Sequence, residues 1–338
     1  MPPRKVVVIG GGTGNHTTLT GLKKKGLDLT AVVTMSDDGG SSGRLRDELG
    51  QLPPGDIRQC LVALAADDGA SAQLRTLFNY RFTTGESLNG HSFGNLFLSA
   101  LTEITGNAAT AIIEASRMLR IEGRVLPVTL TRSILKARLV DGTEIIGESN
   151  IDQRRESPAV PIDYIYLDPK AYAYAPVLEA IEEADAIVIG PGDIYTSILP
   201  NFLVQDVAQA IKSSKAVKVC VCNLMTKPGE SDGFRGSDFL RLVCEYLGTT
   251  QPLDYLIVNS IEFPERLRER YQSFGQHPVM LDRENCLEIA SHIIEAPLLS
   301  TGVYIRHDSD SLANAIMKVE TTQRSTVVSI SEGISRRK

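Results

Sequence analysis

The chain has 338 residues, 42% of them apolar and 22% charged, with a formal net charge of −6. That composition is globular and leaves room for one large domain or two medium ones; the negative balance excludes bulk polyanion binding, so no nucleic-acid partner is expected. No apolar run of about 18 residues exists, which excludes a spanning helix, and residues 1–5 (MPPRK) enter a strand with no secretory apolar region, so the cytoplasm is the expected location.

The β-branched run at 5–9 predicts a strand buried on both faces of a parallel sheet. It ends in Gly10, Gly11, Gly12, Thr13 and Gly14 and leads to a helix at about 15–25, with lysines in its last turn. Glycines let backbone N–H groups approach an anion, and a helix N-terminus adds its dipole. This loop therefore reads as a phosphate cradle. It lacks the third glycine of the dinucleotide fingerprint and the Gly-Lys-Ser/Thr of a Walker loop.

A second strand, at about 29–35, ends in Asp37 and Asp38, followed by Ser41, Ser42 and Arg44. Asp37 stands where an acid holds a ribose hydroxyl in Rossmann folds. As a pair, Asp37 and Asp38 are candidate ligands for Mg²⁺ beside a phosphate; for Asp38, turn chemistry is an equal alternative. Arg44 can fork onto a phosphate or face solvent.

Helices are predicted at about 56–66 and 71–79, with Asp56 and Gln59 resembling a capping box. Arg58 in that first turn hints weakly at an anionic partner. Ser92 caps a helix running to about 104. His91 and Asn95 at its entry face either a ligand or their own backbone, and His91 is open as an acid–base group.

Residues 124–168 read as an antiparallel β insertion that extends the sheet, with Asp141 and Gly142 at a hairpin turn. After a helix at 175–183, the strand at 186–189 repeats the opening pattern with Gly190, Gly192, Asp193 and Tyr195. Further strands end in Asn223 and Asn259. Several polar loops at one sheet edge define a crevice. A charged helix at 264–271, a short strand at 279–281, a strand or helix at 290–297 and a closing helix at 309–318 follow. That closing helix is capped by Asp308 or Ser309, and a polar tail occupies 319–338. The five cysteines lack zinc spacing and read as buried small hydrophobes.

The motifs GGGTG, SDDGGSSGRLR, LPPGDIRQCLVALA, GHSFGNLFL, GPGDIYTSILPN and CNLMTKPGES occur in that order. Together they resemble the YvcK/CofD-like family, in particular its YvcK branch, over about residues 4–318. The resemblance implies one Rossmann-like α/β domain over 1–318, with a mostly parallel sheet, helices on both faces and the β insertion. It implies a gluconeogenesis-factor role in bacterial carbon balance and cell shape, with binding of a UDP-activated sugar such as UDP-N-acetylglucosamine. Matching segments transfer the sugar-nucleotide role to Tyr271 and Arg306. They transfer a regulatory phosphorylation to Ser309, which implies a Ser/Thr kinase as partner. The sister CofD branch implies the alternative, an Mg²⁺-dependent transfer of a phospho-lactyl-type group; the Ser-Ser-Gly-Arg continuation, GHSFGN and CNLMT follow the YvcK branch instead. A nicotinamide-dependent oxidoreductase is a weaker reading. The sequence assigns no catalytic residue and leaves self-association open.

Overall fold

The computed structural model describes residues 3–154 and 159–320; most of the tail expected at 319–338 lies outside them. Seven strands form one parallel sheet: β1 (Lys5–Gly10), β2 (Asp28–Val33), β3 (Arg124–Pro127), then β7 (Ala186–Ile189), β8 (Val217–Val221), β9 (Leu253–Asn259) and β10 (Ala290–Ala296). Their spatial order is β10-β9-β8-β7-β1-β2-β3. Val6 to Ile9 and all of β7 are buried at successive positions, so helices cover both faces. Register is direct: Ile9 lies beside Val32 on one side and Ile189 on the other.

The chain winds outward from β1 through β2 to β3, then returns to β7 and winds the other way. The loops leaving β1 and β7 therefore part at their carboxyl ends, which opens a crevice at the switch in strand order.

The insertion differs from expectation. Its first strand, β3, joins the parallel sheet beside β2, with Ala31 opposite Val125. The remainder, β4 (Ile134–Leu139), β5 (Glu144–Ile146) and β6 (Ile162–Asp168), forms a separate antiparallel sheet. Hairpin signals read pairing between sequence neighbours, whereas β3 pairs with a distant strand. One hydrophobic cluster includes Val8, Leu135 and Ile165, so the small sheet packs onto the same core. Residues 290–297 resolve as strand β10, and 279–281 as isolated bridges only. No helix among the described residues is long and apolar enough to cross a membrane. All five thiols are buried and unpaired, and burial pushes the Cys220 pKa up to about 12.

The helix Gly12–Leu22 crosses the closing helix Ser309–Met317 at Gly21, where an added Cβ would come within 1.9 Å of the Ser309 carbonyl oxygen. Gly21→Ala is expected to lower stability by about 1–3 kcal/mol through overpacking, read as a lower urea midpoint; an unchanged midpoint would show that the helices separate freely.

Candidate functional site

The loops after β1 and β7 meet across the switch point. A Cβ on Gly14 would lie 1.9 Å from the Pro191 carbonyl oxygen, so only glycine permits this approach. Gly10 (φ 159°) and Gly12 (φ 57°) take backbone conformations that suit glycine, and Gly190 (φ 77°) does the same in the second loop. The helix Gly12–Leu22 has no side-chain cap at Gly11. Instead the Asp56 carboxylate accepts from the Gly12 N–H, and a Cβ on Gly11 would come within 2.4 Å of its Oδ2.

That position corrects the expected role of Asp56. Its own helix, Gly55–Leu64, starts without a side-chain cap hydrogen bond, and the contact with Gln59 is stretched to 3.5 Å. Asp56 faces a cavity of about 330 Å³ lined by Gly12, Asp37, Glu148, Gly192 and Asp193 among others. The cradle wall is acidic. Burial, then the charge of Asp37, pushes the Asp56 pKa up to about 7. Burial, then Asp37 and Asp152, pushes Glu148 up to about 9. Asp37 is raised chiefly by burial, opposed by hydrogen bonds from Ser42 and the Gly39 N–H.

The adjacent aspartates have separate duties. Asp38 accepts from the N–H groups of Glu148 (3.1 Å) and Ser149 (2.7 Å) and pairs with Arg46 at 3.4 Å. It anchors the short helix Glu148–Asp152 and does not line the cavity. Asp38 is therefore turned away from the cavity, whose acidic lining is Asp37, Asp56, Glu148 and Asp193.

The Ser-Ser-Gly-Arg and GHSFGN segments form a scaffold behind Asp37. Ser41 Oγ lies 3.0 Å from His91 Nδ1, and Asn95 Nδ2 donates to Ser41 (3.2 Å) and Ser42 (3.4 Å). Arg58 Nε donates to Asn95 Oδ1 at 3.0 Å, which accounts for that cation in a helical first turn. His91 is buried, and burial lowers its pKa. Arg44 donates to the Asn89 carbonyl at 2.8 Å, away from the cradle. Ser41, Ser42, His91 and Asn95 thus position Asp37, and none of them lines a described cavity at the glycine loops.

A second cavity, about 240 Å³, adjoins the first and shares Thr13, Gly14, Gly192 and Asp193 with it. Asn223, Tyr271 and Arg306 line it, so those predicted residues do converge on the glycine loops. Asn223 Nδ2 donates to the Gly192 carbonyl (2.9 Å), and the Tyr271 hydroxyl accepts from the Ile305 N–H (3.0 Å). Arg306 lies 5.5 Å from the Tyr304 ring, which it shares with Arg270, and no ion pair of Arg306 occurs among the described residues. Tyr195 is buried behind the loop and lines neither cavity. Ser309 begins the closing helix, which Asp308 caps by accepting from the Ser311 N–H.

Lys227 went unnoticed as a site residue. Its ammonium meets Asp152, Asp193 (2.8 Å) and Glu230 (2.8 Å). Burial alone would lower the Lys227 pKa, but the three carboxylates outweigh it and hold the lysine charged. Asp152, Asp193 and Glu230 lie close enough for one cation, and Lys227 occupies that role. A lysine and an acid three residues apart in a strand-end loop was the available signal. Glu148 sits in an ordinary polar turn and offered none.

The family described as 2-phospho-L-lactate transferase CofD matches residues 6–299. A Thermotoga maritima protein is 46% identical over 93% of this chain and 99% of its own. A Halalkalibacterium halodurans protein named "Gluconeogenesis factor" is 40% identical over 97% of this chain and 100% of its own. A crystal structure of a Bacillus halodurans protein, 40% identical, superposes with a TM-score of 0.87 over 93% of this chain and 99% of that one.

Folded Asp56 keeps its proton up to about pH 7, whereas an unfolded aspartate loses it near pH 4. Between those values folding takes up a proton, so stability falls as pH rises. Asp56→Asn keeps an acceptor for Gly12 but carries no charge. Its stability relative to the parent protein is expected to increase from pH 5 to pH 8, by on the order of 2 kcal/mol, measured by thermal melts across that range. A difference that stays flat with pH would contradict the burial described for Asp56.

Proposed function

The chain belongs to the CofD family, and on that premise we propose that it is a nucleotide-sugar-binding regulator of bacterial carbon balance and cell shape. Its ligand is a uridine-diphosphate sugar of the UDP-N-acetylglucosamine kind. The observation that carries this reading is the meeting of two cavities at Thr13, Gly14, Gly192 and Asp193, with Arg306 and Tyr271 on the wall of one. A guanidinium without an ion-pair partner among the described residues, beside glycine-loop N–H groups, suits a diphosphate. The name of the Halalkalibacterium relative, gluconeogenesis factor, agrees with a regulatory role.

The acidic cavity favours a second reading, a metal-dependent transferase acting on a nucleoside-diphosphate-activated substrate. In it Asp37, Asp56 and Glu148 would hold Mg²⁺, which neutralises charge on a leaving diphosphate. Asp37 would be oriented for that by Ser42 and the Gly39 N–H, and the glycine-loop N–H groups would stabilise the same charge.

A thermal-shift panel separates the two. UDP-N-acetylglucosamine without metal, at about 100 times its Kd, is expected to add about 2.7 kcal/mol of stability, and Arg306→Ala is expected to abolish the shift. Stabilisation by a nucleoside diphosphate other than uridine's with Mg²⁺, and by no uridine nucleotide, would replace the first reading with the second. Phosphorylation of Ser309, close along the chain to Arg306, belongs to the same proposal, because added charge at that helix start alters the field at the cavity. Mass spectrometry of protein from its native cells is expected to find phosphorylated Ser309; uniformly unmodified Ser309 would remove this element.

A further inference from the structure

A third cavity, about 350 Å³, lies beyond the second along the carboxyl edge of the sheet, past the ends of β8 and β9, and shares Asn223 and Leu224 with it. The three cavities therefore form a row, with the cavity of Arg306 in the middle. Their linings differ in kind. The end cavity beyond β9 presents Leu224, Ile261, Phe263 and Met280, with Glu262 and Arg268 as its charged residues. Ile261 and Met280 are 41% and 67% exposed, which leaves apolar surface bare at its mouth. The Asn259 amide there is already committed: Nδ2 donates to the Ile261 carbonyl and Oδ1 accepts from the Leu298 N–H. The opposite end cavity presents Asp37, Asp56, Glu148 and Asp193.

A nucleotide sugar also has three parts in a row, with its charge in the middle. Lys227 is consumed by Asp152, Asp193 and Glu230, so Arg306 is the cation left for a diphosphate among the lining residues of the middle cavity. The acidic end offers a phosphate no cation among its lining residues. It suits a polyhydroxylated ring, since carboxyl groups accept hydrogen bonds from hydroxyls. The apolar end suits a flat heterocycle, which buries its faces against aliphatic and aromatic side chains.

From this row of cavities, and resting on the nucleotide-sugar reading above, we infer the direction in which the ligand lies: base beside Phe263 and Met280, diphosphate at Arg306, sugar among Asp37, Asp56 and Glu148. This orientation reverses the Rossmann expectation, in which Asp37 would meet the ribose. The carboxylates then read the sugar, and the pocket past β9 reads the base. Glu148 is the residue of the sugar end supplied by the β insertion, through the helix that Asp38 anchors. The insertion thereby contributes one of the three carboxyl groups that read the sugar.

The test is calorimetric titration of the full chain with UDP and with UDP-N-acetylglucosamine. Glu148→Gln and Asp37→Asn are expected to weaken the sugar nucleotide about tenfold while leaving UDP within about twofold. Phe263→Ala is expected to weaken both ligands alike, about tenfold. Met280→Asp, at an exposed side chain, gives the same readout should Phe263→Ala fail to fold. The opposite pattern, with the acid variants weakening UDP and the Phe263 and Met280 variants affecting only the sugar nucleotide, would overturn the orientation and leave the ligand class standing. Failure of the unaltered protein to bind either ligand would overturn the ligand class, and the orientation with it.

Discussion

The site depends on one close approach, that of the glycine loop after β1 to the loop after β7. The parallel sheet creates the opportunity, because strand order reverses between these two strands. Gly14 makes the approach sterically possible by leaving room for the Pro191 carbonyl. Everything that lines the two central cavities hangs from that junction. Thr13, Gly14, Gly192 and Asp193 border both, so a shift of either loop changes both at once.

Electrostatics divides the crevice. Carboxylates crowd one side at close quarters, and burial holds protons on Asp56 and Glu148 well above their ordinary range. Lys227 fixes Asp193 and Asp152 near the boundary. Arg306 stands on the other side with the Tyr304 ring beneath it. The crevice is thus a graded field, and a ligand with separated charge and hydroxyl groups finds a different environment for each part.

The strands of the parallel sheet were legible because fully buried strands spell continuous apolar runs and end in glycine or amide-bearing loops. The convergence of Gly14, Gly192 and Asn223 followed from strand polarity; that Tyr271 and Arg306 share their cavity did not, because both sit in connections far along the chain whose fold no local pattern reveals. Asp56 was misread because an acid followed by glutamine three residues later fits a local cap equally well, and only tertiary distance separates the two. His91 and Asn95 stood out as polar residues at an apolar helix entry. Their residue types do not reveal whether they touch a ligand or support the aspartate that does. Strand β3 was assigned to its neighbours in sequence because a parallel partner far along the chain leaves no turn signal.

Asp37 and Asp38 are neighbours in the chain and belong to different machines. One is part of the floor; the other is a clasp that fastens a flap, the short helix of Glu148, beside it. Two backbone N–H groups engage the clasp, so it is indifferent to most side chains in the flap. Substitutions within that short helix can therefore change what faces the cavity while the clasp keeps its hold.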